Sequence, residues 1–569
     1  MAELLTRGVL PARLLGALSA LLAGVVASAS LATGPALPPA PSGMSAVIVR
    51  GETGAVAQLE RSVVRSGGTV IRELKVIDGF SAEVPAARLA ALRALPGLAS
   101  LTEDAALSFR SDYNPAGDPY SLASTALGVG ASTAWAEGIT GAGIDVALID
   151  SGISPVQGLA GDGKVVNGPD LSLDSQAGSS QSLDGFGHGT FMAGLIGAKD
   201  PGADVSKPGS SYLGMAPDAR IVNVKVGSNN GTVDVSQVIA GIDWVVEHRH
   251  DNGLNIRVLN LSIGTNSAQS YQVDPLAYAA EVAWRSGIVV VAAAGNDGAA
   301  NGHLDDPASD PFVIAVGGAG SSGTYSLNNL LVAAFSSLGN GIRNPDLIAP
   351  GSHLQGLRVP GSYIDQNFPS AAFGDRFFRG SGTSEAAALT SGAVALILQK
   401  RPSLKPGQVK AILAQTAAAL PNVAVQAQGA GFLQVAAGVD EALSVPSGWQ
   451  GFWPSVGTGS LEKSRGTGHV SIGGAQLTGE QDIFGHPFSS SQHAAQSANG
   501  QGWSEGGWNG TTWSGTTWSG TTWSGTTWSG TTWSGTTWSG TTWSGTTWSG
   551  TTWSGTTWSG DIWSNYSWS

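Results

Sequence analysis

Val146-Ala147-Leu148-Ile149-Asp150-Ser151-Gly152 is a run of four apolar residues that stops on a carboxylate, a hydroxyl and a glycine. A short apolar run bounded by a turn signal reads as a strand buried on both faces. The strand begins near Ile144, and the same pattern recurs at 221–226, 258–262, 288–293 and 313–316. Helical stretches lie between these runs, as at 235–249 and 276–285. From about 121 to 445 this alternation predicts an α/β domain, a parallel sheet with helices on both faces. Sites in such open sheets form at the carboxyl ends of the strands, and Asp150 and Asn296 fall at such ends.

Two further segments lie downstream in the same chain. Asp184-Gly185-Phe186-Gly187-His188-Gly189-Thr190 leads into the apolar stretch 191–196, a buried helix with His188 at its start. Gly380-Ser381-Gly382-Thr383-Ser384 precedes a helical stretch from Glu385 to about Leu398, which puts Ser384 at the positive end of a helix. A serine hydroxyl is a weak nucleophile at neutral pH and needs a base within hydrogen-bond reach. An imidazole titrates in the right range, and a carboxylate on its other nitrogen fixes its orientation. Taken singly, each segment has an ordinary structural reading: a turn after a strand, a loop, an N-cap. A fourth segment, Val291-Ala292-Ala293-Ala294-Gly295-Asn296, offers a side-chain amide, and Asn296-Asp297-Gly298 taken alone is a natural turn.

In the order Asp…His…Ser, with these flanks, the chain resembles the subtilisin family over roughly 45–445. The resemblance implies a subtilisin-like fold and a secreted serine endopeptidase with Asp150, His188 and Ser384 as its triad. It implies an oxyanion hole from the Asn296 amide and the Ser384 backbone N–H. Polypeptide substrates would lie as an added strand along Ser262, Ile263 and Gly264, with Gly295 beside them and 226–231 as the opposing wall. Residues 311–317 and 345–351 match as landmarks only. The chemistry needs no cofactor. The family's structural calcium loop is not recognisable, and the insertion 199–211 leaves calcium unlocated. Glu385 and Ala388 depart from the pattern, standing where the family commonly has Met and Pro. A carboxylate there opposes developing negative charge unless it points away or is protonated, so activity is expected to weaken as Glu385 ionises.

Outside this domain the sequence divides further. Residues 1–29 read as a signal peptide: Arg7 and Arg13 precede an apolar stretch that ends at Ala27-Ser28-Ala29. Residues 30–44 read as a linker. Within 45–104 the order of elements is β-α-β-β-α-β, that of a ferredoxin-like fold. Its position resembles the family's inhibitory propeptide, which makes the chain's own propeptide an expected partner. Residues 105–120 read as the processing junction and 446–502 as a Gly/Ser-rich linker. From 503 to 569 a Trp falls at every fifth position, and 511–560 are perfect Thr-Thr-Trp-Ser-Gly copies. That tail reads as a disordered spacer, as an array of indoles for cell-wall polysaccharide, or as a self-associating repeat. The net charge of −13 argues against nucleic acid as a partner, and no segment after the signal is long and apolar enough to span a membrane. Cysteine is absent, so stability rests on the core, slow unfolding or a bound ion. Two rival functions remain at this level: a catalytically silent subtilisin-like scaffold, and a surface-adhesive protein acting through the Trp tail.

Overall fold

The computed structural model describes residues 43–103, 118–175, 181–300, 302–321, 324–441, 448–472, 475–504 and 507–509, with five backbone pairs in the repeat. The expected signal peptide, most of the 30–44 linker, most of the junction and nearly all of the Trp repeat lie outside the described residues. The chain divides into two compact units, Met1–Arg110 and Ser111–Ser569.

In the first unit, β1 (Met44–Gly51), α1 (Val56–Arg65), β2 (Thr69–Leu74), β3 (Gly79–Pro85), α2 (Leu89–Leu92) and β4 (Leu98–Glu103) follow in that order. The sheet is antiparallel with strand order β2-β3-β1-β4, the ferredoxin-like arrangement that the spacing predicts. Alternate residues of β1 and β3 face the helices, and Val47, Val49, Phe80 and Val84 bury against Leu59 and Val63 of α1.

The second unit carries the α/β layers. Its strands are β5 (Asp145–Asp150), β6 (Val165–Asp170), β7 (Arg220–Lys225), β8 (Ile256–Leu261), β9 (Val289–Ala293), β10 (Ile314–Ser321), β11 (Leu330–Val332) and β12 (Leu347–Pro350). They run in the order β11-β10-β9-β8-β5-β7-β6, with β12 also on β10. All pairings are parallel except β10 with β11. Every residue of β5 and of β9 is buried, as continuous apolar runs in a doubly covered sheet must be. The helices of this unit include α3 (His188–Gly197), α4 (Val235–His248), α5 (Pro275–Arg285) and α6 (Thr383–Lys400). Of α6, sixteen residues from Thr383 to Leu398 are buried, because the helix passes among β8, β9, β10 and α3.

The described residues of the 446–502 segment, expected as a linker, instead pack onto this unit, and so does Trp503 at the start of the tail. Leu461, Val470, Leu477, Ile483, Phe488, Ala494 and Trp503 join its core. Arg465 is fully buried and donates from Nε to Asp234 Oδ2 at 2.7 Å. Asp234 also caps α4 through the Ser236 N–H. Composition hid this because the anchors are sparse: single apolar residues and one arginine among small polar ones. The first repeat tryptophans are anchors too. Trp508 donates its indole N–H to Asp243 on α4 at 2.8 Å and stacks on Phe488. Among the described residues no helix is long and apolar enough to cross a membrane.

Removing one partner of a buried ion pair leaves an uncompensated charge. Arg465→Ala, which strands Asp234 and two backbone carbonyls, is expected to lower unfolding free energy by about 3–5 kcal/mol. Urea unfolding of the full chain measures it; an unchanged midpoint would show that the segment adds nothing to the fold.

Candidate active site

β5, β8 and β9 are neighbours, so their carboxyl ends bring Asp150, Ser262 and the 293–296 turn onto one edge of the sheet. Asp150 is the last residue of β5 and is 3% exposed. Its Oδ1 accepts from the Ser151 N–H at 2.8 Å. His188 Nδ1 lies 2.8 Å from Asp150 Oδ1 and 3.0 Å from Oδ2, so this nitrogen carries the proton and Nε2 is left for other chemistry.

The start of α3 is fixed by Asp184, a residue whose role the sequence alone does not reveal. Its Oδ1 accepts from the Gly187 N–H at 2.6 Å, and its Oδ2 from the Thr190 N–H at 2.7 Å. The Ser151 hydroxyl bridges the two halves, donating to Asp184 Oδ1 and accepting from the Gly189 N–H, both at 2.9 Å. Asp184 thereby satisfies first-turn amides of the helix and ties it to the end of β5. A Cβ on Gly189 would lie 2.1 Å from the Gly152 carbonyl oxygen, which explains the glycine at 189; Gly152 itself has φ +107°, and a Cβ there would lie 2.7 Å from the Leu183 carbonyl oxygen.

Ser384 sits in the first turn of α6 and is 8% exposed. Its Oγ donates to the Ser262 carbonyl at 3.0 Å rather than to His188. Ser262 Oγ returns a bond to the Ser384 carbonyl, also at 3.0 Å. Ser262 is positioned by Asn260, which in turn accepts from Ser391, about two turns further along α6. Asn296 Oδ1 accepts from the Thr383 N–H at 2.9 Å and from the Thr383 hydroxyl at 3.1 Å. With its oxygen so engaged, the Asn296 amide nitrogen keeps its donors for another group. The Ser384 N–H belongs to the helix's first turn, which has no intrahelical acceptor. The expected triad residues, the amide, Ser262 and Gly295 thus converge on one strand-end edge. Thr383, Asp184 and Ser151 join them; the signal that could have found them is their place inside the motifs of the triad.

Glu385 is buried, and its carboxyl folds back on the preceding loop. A Cβ on Gly380 would lie 2.3 Å from its Oε1, and one on Gly382 2.8 Å from its Oε2. Burial foremost, and then Asp150, push its carboxyl up from the ordinary range, against the pull of His188. For His188, burial works to lower the imidazole. The carboxylates of Asp150, Glu385 and Asp184 together outweigh burial and hold it up at about 9.

Asp200 is taken by Arg376 at 2.6 Å and by the Tyr212 N–H, and Asp204 by Ser206. Among the described residues no group of three or more His, Cys, Asp or Glu side chains has a metal-holding arrangement.

A general base works only when neutral, so kcat/KM should rise with pH along a limb that follows the raised imidazole. Removing the negative charge at 385 lowers that imidazole. Glu385→Gln is therefore expected to move the lower limb of the pH–rate profile toward neutral pH. An unmoved limb would show that Glu385 does not act on His188.

The residues of this edge fall within a stretch shared with known proteins. The model of the Subtilase family matches residues 141–432. The serine protease AprX of Bacillus subtilis is 36% identical over 285 residues, covering 48% of this chain and 61% of the relative. The minor extracellular protease Epr of the same organism is 34% identical over 271 residues, 48% of this chain and 34% of the relative. The alkaline protease of Alkalihalobacillus alcalophilus is 31% identical over 364 residues, 63% of this chain and 79% of the relative. The chain therefore spans less than two thirds of AprX and of Epr, and more than two thirds of the alkaline protease.

Proposed function

The chain belongs to the subtilase family, and from that premise we propose that it is a serine endopeptidase acting through an acyl-enzyme. The observation that carries this reading is the His188–Asp150 pair on the same strand-end edge as Ser384 and Asn296. Rotation about the Ser384 Cα–Cβ bond exchanges the Ser262 carbonyl for His188 Nε2. The hydroxyl oxygen then attacks the scissile carbonyl carbon while its proton passes to Nε2. Asp150, already on Nδ1, stabilises the imidazolium. The oxyanion takes hydrogen bonds from the Asn296 amide and the Ser384 N–H. Collapse breaks the C–N bond, and His188 gives its proton to the departing amine. Water then attacks the ester through the same base, releasing the acid and restoring the hydroxyl.

Residues 45–104 act in this reading as the inhibitory propeptide, released by cleavage within 105–120. Export follows from the signal-like 1–29, in keeping with a relative named as an extracellular protease. The Trp tail serves as a spacer or holds the enzyme to wall polysaccharide. A silent scaffold, or an adhesive protein working through its tail, is the outcome opposed to catalysis.

A fluorophosphonate probe should label the full chain once, at Ser384, and Ser384→Ala should abolish labelling and lower kcat by about 10⁶, the magnitude seen in subtilisin. Asn296→Ala should cost about 10²–10³ in kcat, as loss of the corresponding donor does there. A protein that neither labels nor cleaves any peptide would establish the scaffold or adhesive reading instead.

A further inference from the structure

Two segments flank the nucleophile, and the space between them is termed the slot. Ser262, Ile263 and Gly264 form one side and 293–296 the other. Both are fastened to the start of α6, the first by the paired Ser262–Ser384 bonds and the second by the Gly295 N–H on Thr383 Oγ1 at 3.2 Å. The chain then returns across the far end. Asp305 donates its N–H to the Ala294 carbonyl at 3.0 Å. Asp306 exchanges two backbone bonds with Thr265, at 2.8 and 3.0 Å. This places the Asp305 side chain between the two sides of the slot. A Cβ on Gly295 would lie 2.7 Å from Asp305 Oδ2, and a Cβ on Gly264 3.7 Å from the same oxygen. Gly295 has φ +110°, a backbone form that side chains resist, so this wall stays open for two reasons.

The carboxyl has no partner to account for its position. Its Oδ1 is shielded from solvent and accepts no hydrogen bond. Burial first, then the charge of Asp297, push it up to about 7, and only His303 works against them. Among the described residues no Lys or Arg offsets it. Asp305 is half-buried, and a shielded carboxyl oxygen without a partner costs stability unless a ligand completes it.

Resting on the reading of Ser384 as nucleophile and Asn296 as oxyanion donor, we propose that Asp305 is the specificity-determining residue at the floor of this slot, selecting Lys or Arg as the residue whose carbonyl is attacked. With that carbonyl carbon at Ser384 Oγ and its oxygen at Asn296, the side chain of the same residue enters between Gly264 and Gly295. A long stem lies along the two glycine walls, and its terminal cation meets the Asp305 carboxylate in a charge-assisted hydrogen bond. Asp297 adds to the negative potential nearby. An aromatic or aliphatic side chain would desolvate the carboxyl and return nothing for it.

The test is a set of peptides identical except at that residue, carrying Lys, Arg, Phe, Leu or Glu, cleaved by the full chain. Lys and Arg should exceed Phe in kcat/KM by roughly tenfold or more, with Glu lowest. Asp305→Asn should reduce the Lys-to-Phe ratio by roughly thirtyfold or more, a loss carried by the Lys and Arg peptides. Benzamidine, a small cation of the right shape, should inhibit the unsubstituted chain competitively, which decides the matter even if the variant fails to fold. A preference for Phe or Leu, a ratio unchanged by Asp305→Asn, or indifference to benzamidine would overturn the proposal while leaving the activity intact. Absence of both cleavage and fluorophosphonate labelling would mean that the activity reading had failed, and this one with it.

Discussion

The bond between His188 Nδ1 and Asp150 is the constraint from which the site is built. It holds a helix start against a strand end that is separated from it by thirty-eight residues. For the imidazole to arrive there, Asp184 must tie down the first amides of α3, and Ser151 must join that carboxylate to the end of β5. Glycines at 152 and 189 let the two backbones meet. The helix bearing Ser384 is held from the other side by Ser262 and by Thr383 on Asn296. These are buried polar contacts, so each one satisfied is rigid and each one lost is costly.

The site carries an excess of carboxyl groups. Asp150, Asp184 and Glu385 surround one imidazole, and Asp305 with Asp297 lies by the slot. Burial pushes Asp184, Glu385 and Asp305 toward their neutral forms, which limits their mutual repulsion. The same crowding holds His188 in its charged form to higher pH. As the base of the proposed reaction, such an imidazole becomes free to accept a proton as the water turns alkaline.

The sheet was legible because Val146–Ile149 of β5 and Val289–Ala293 of β9 are unbroken apolar runs, and because β7 is interrupted only by Asn223 and β8 only by Arg257 and Asn260. The placement of Asp150, His188, Ser384 and Asn296 at strand ends and helix starts was legible because each stands just after such a run or at a helix start, within a glycine-bearing flank. Strand β6 was not, since its residues Val165–Asp170 mix polar and apolar positions and lean on β7 for their pairing. The packing of 448–504 was hidden in small residues whose few anchors, Arg465 and Trp508 among them, find partners more than two hundred positions away. Asp305 was invisible for the same reason: only the folded return of the chain sets it beside Gly264 and Gly295.

Whether Asp150, His188, Ser384 and Asn296 act as one site is measured most directly by a crystal structure of the chain after reaction with a fluorophosphonate. The expected adduct has phosphorus bonded to Ser384 Oγ, a phosphoryl oxygen within hydrogen-bond distance of the Asn296 amide and the Ser384 N–H, and His188 still on Asp150. An adduct on another residue, or on Ser384 with its oxygen turned away from Asn296, would contradict it.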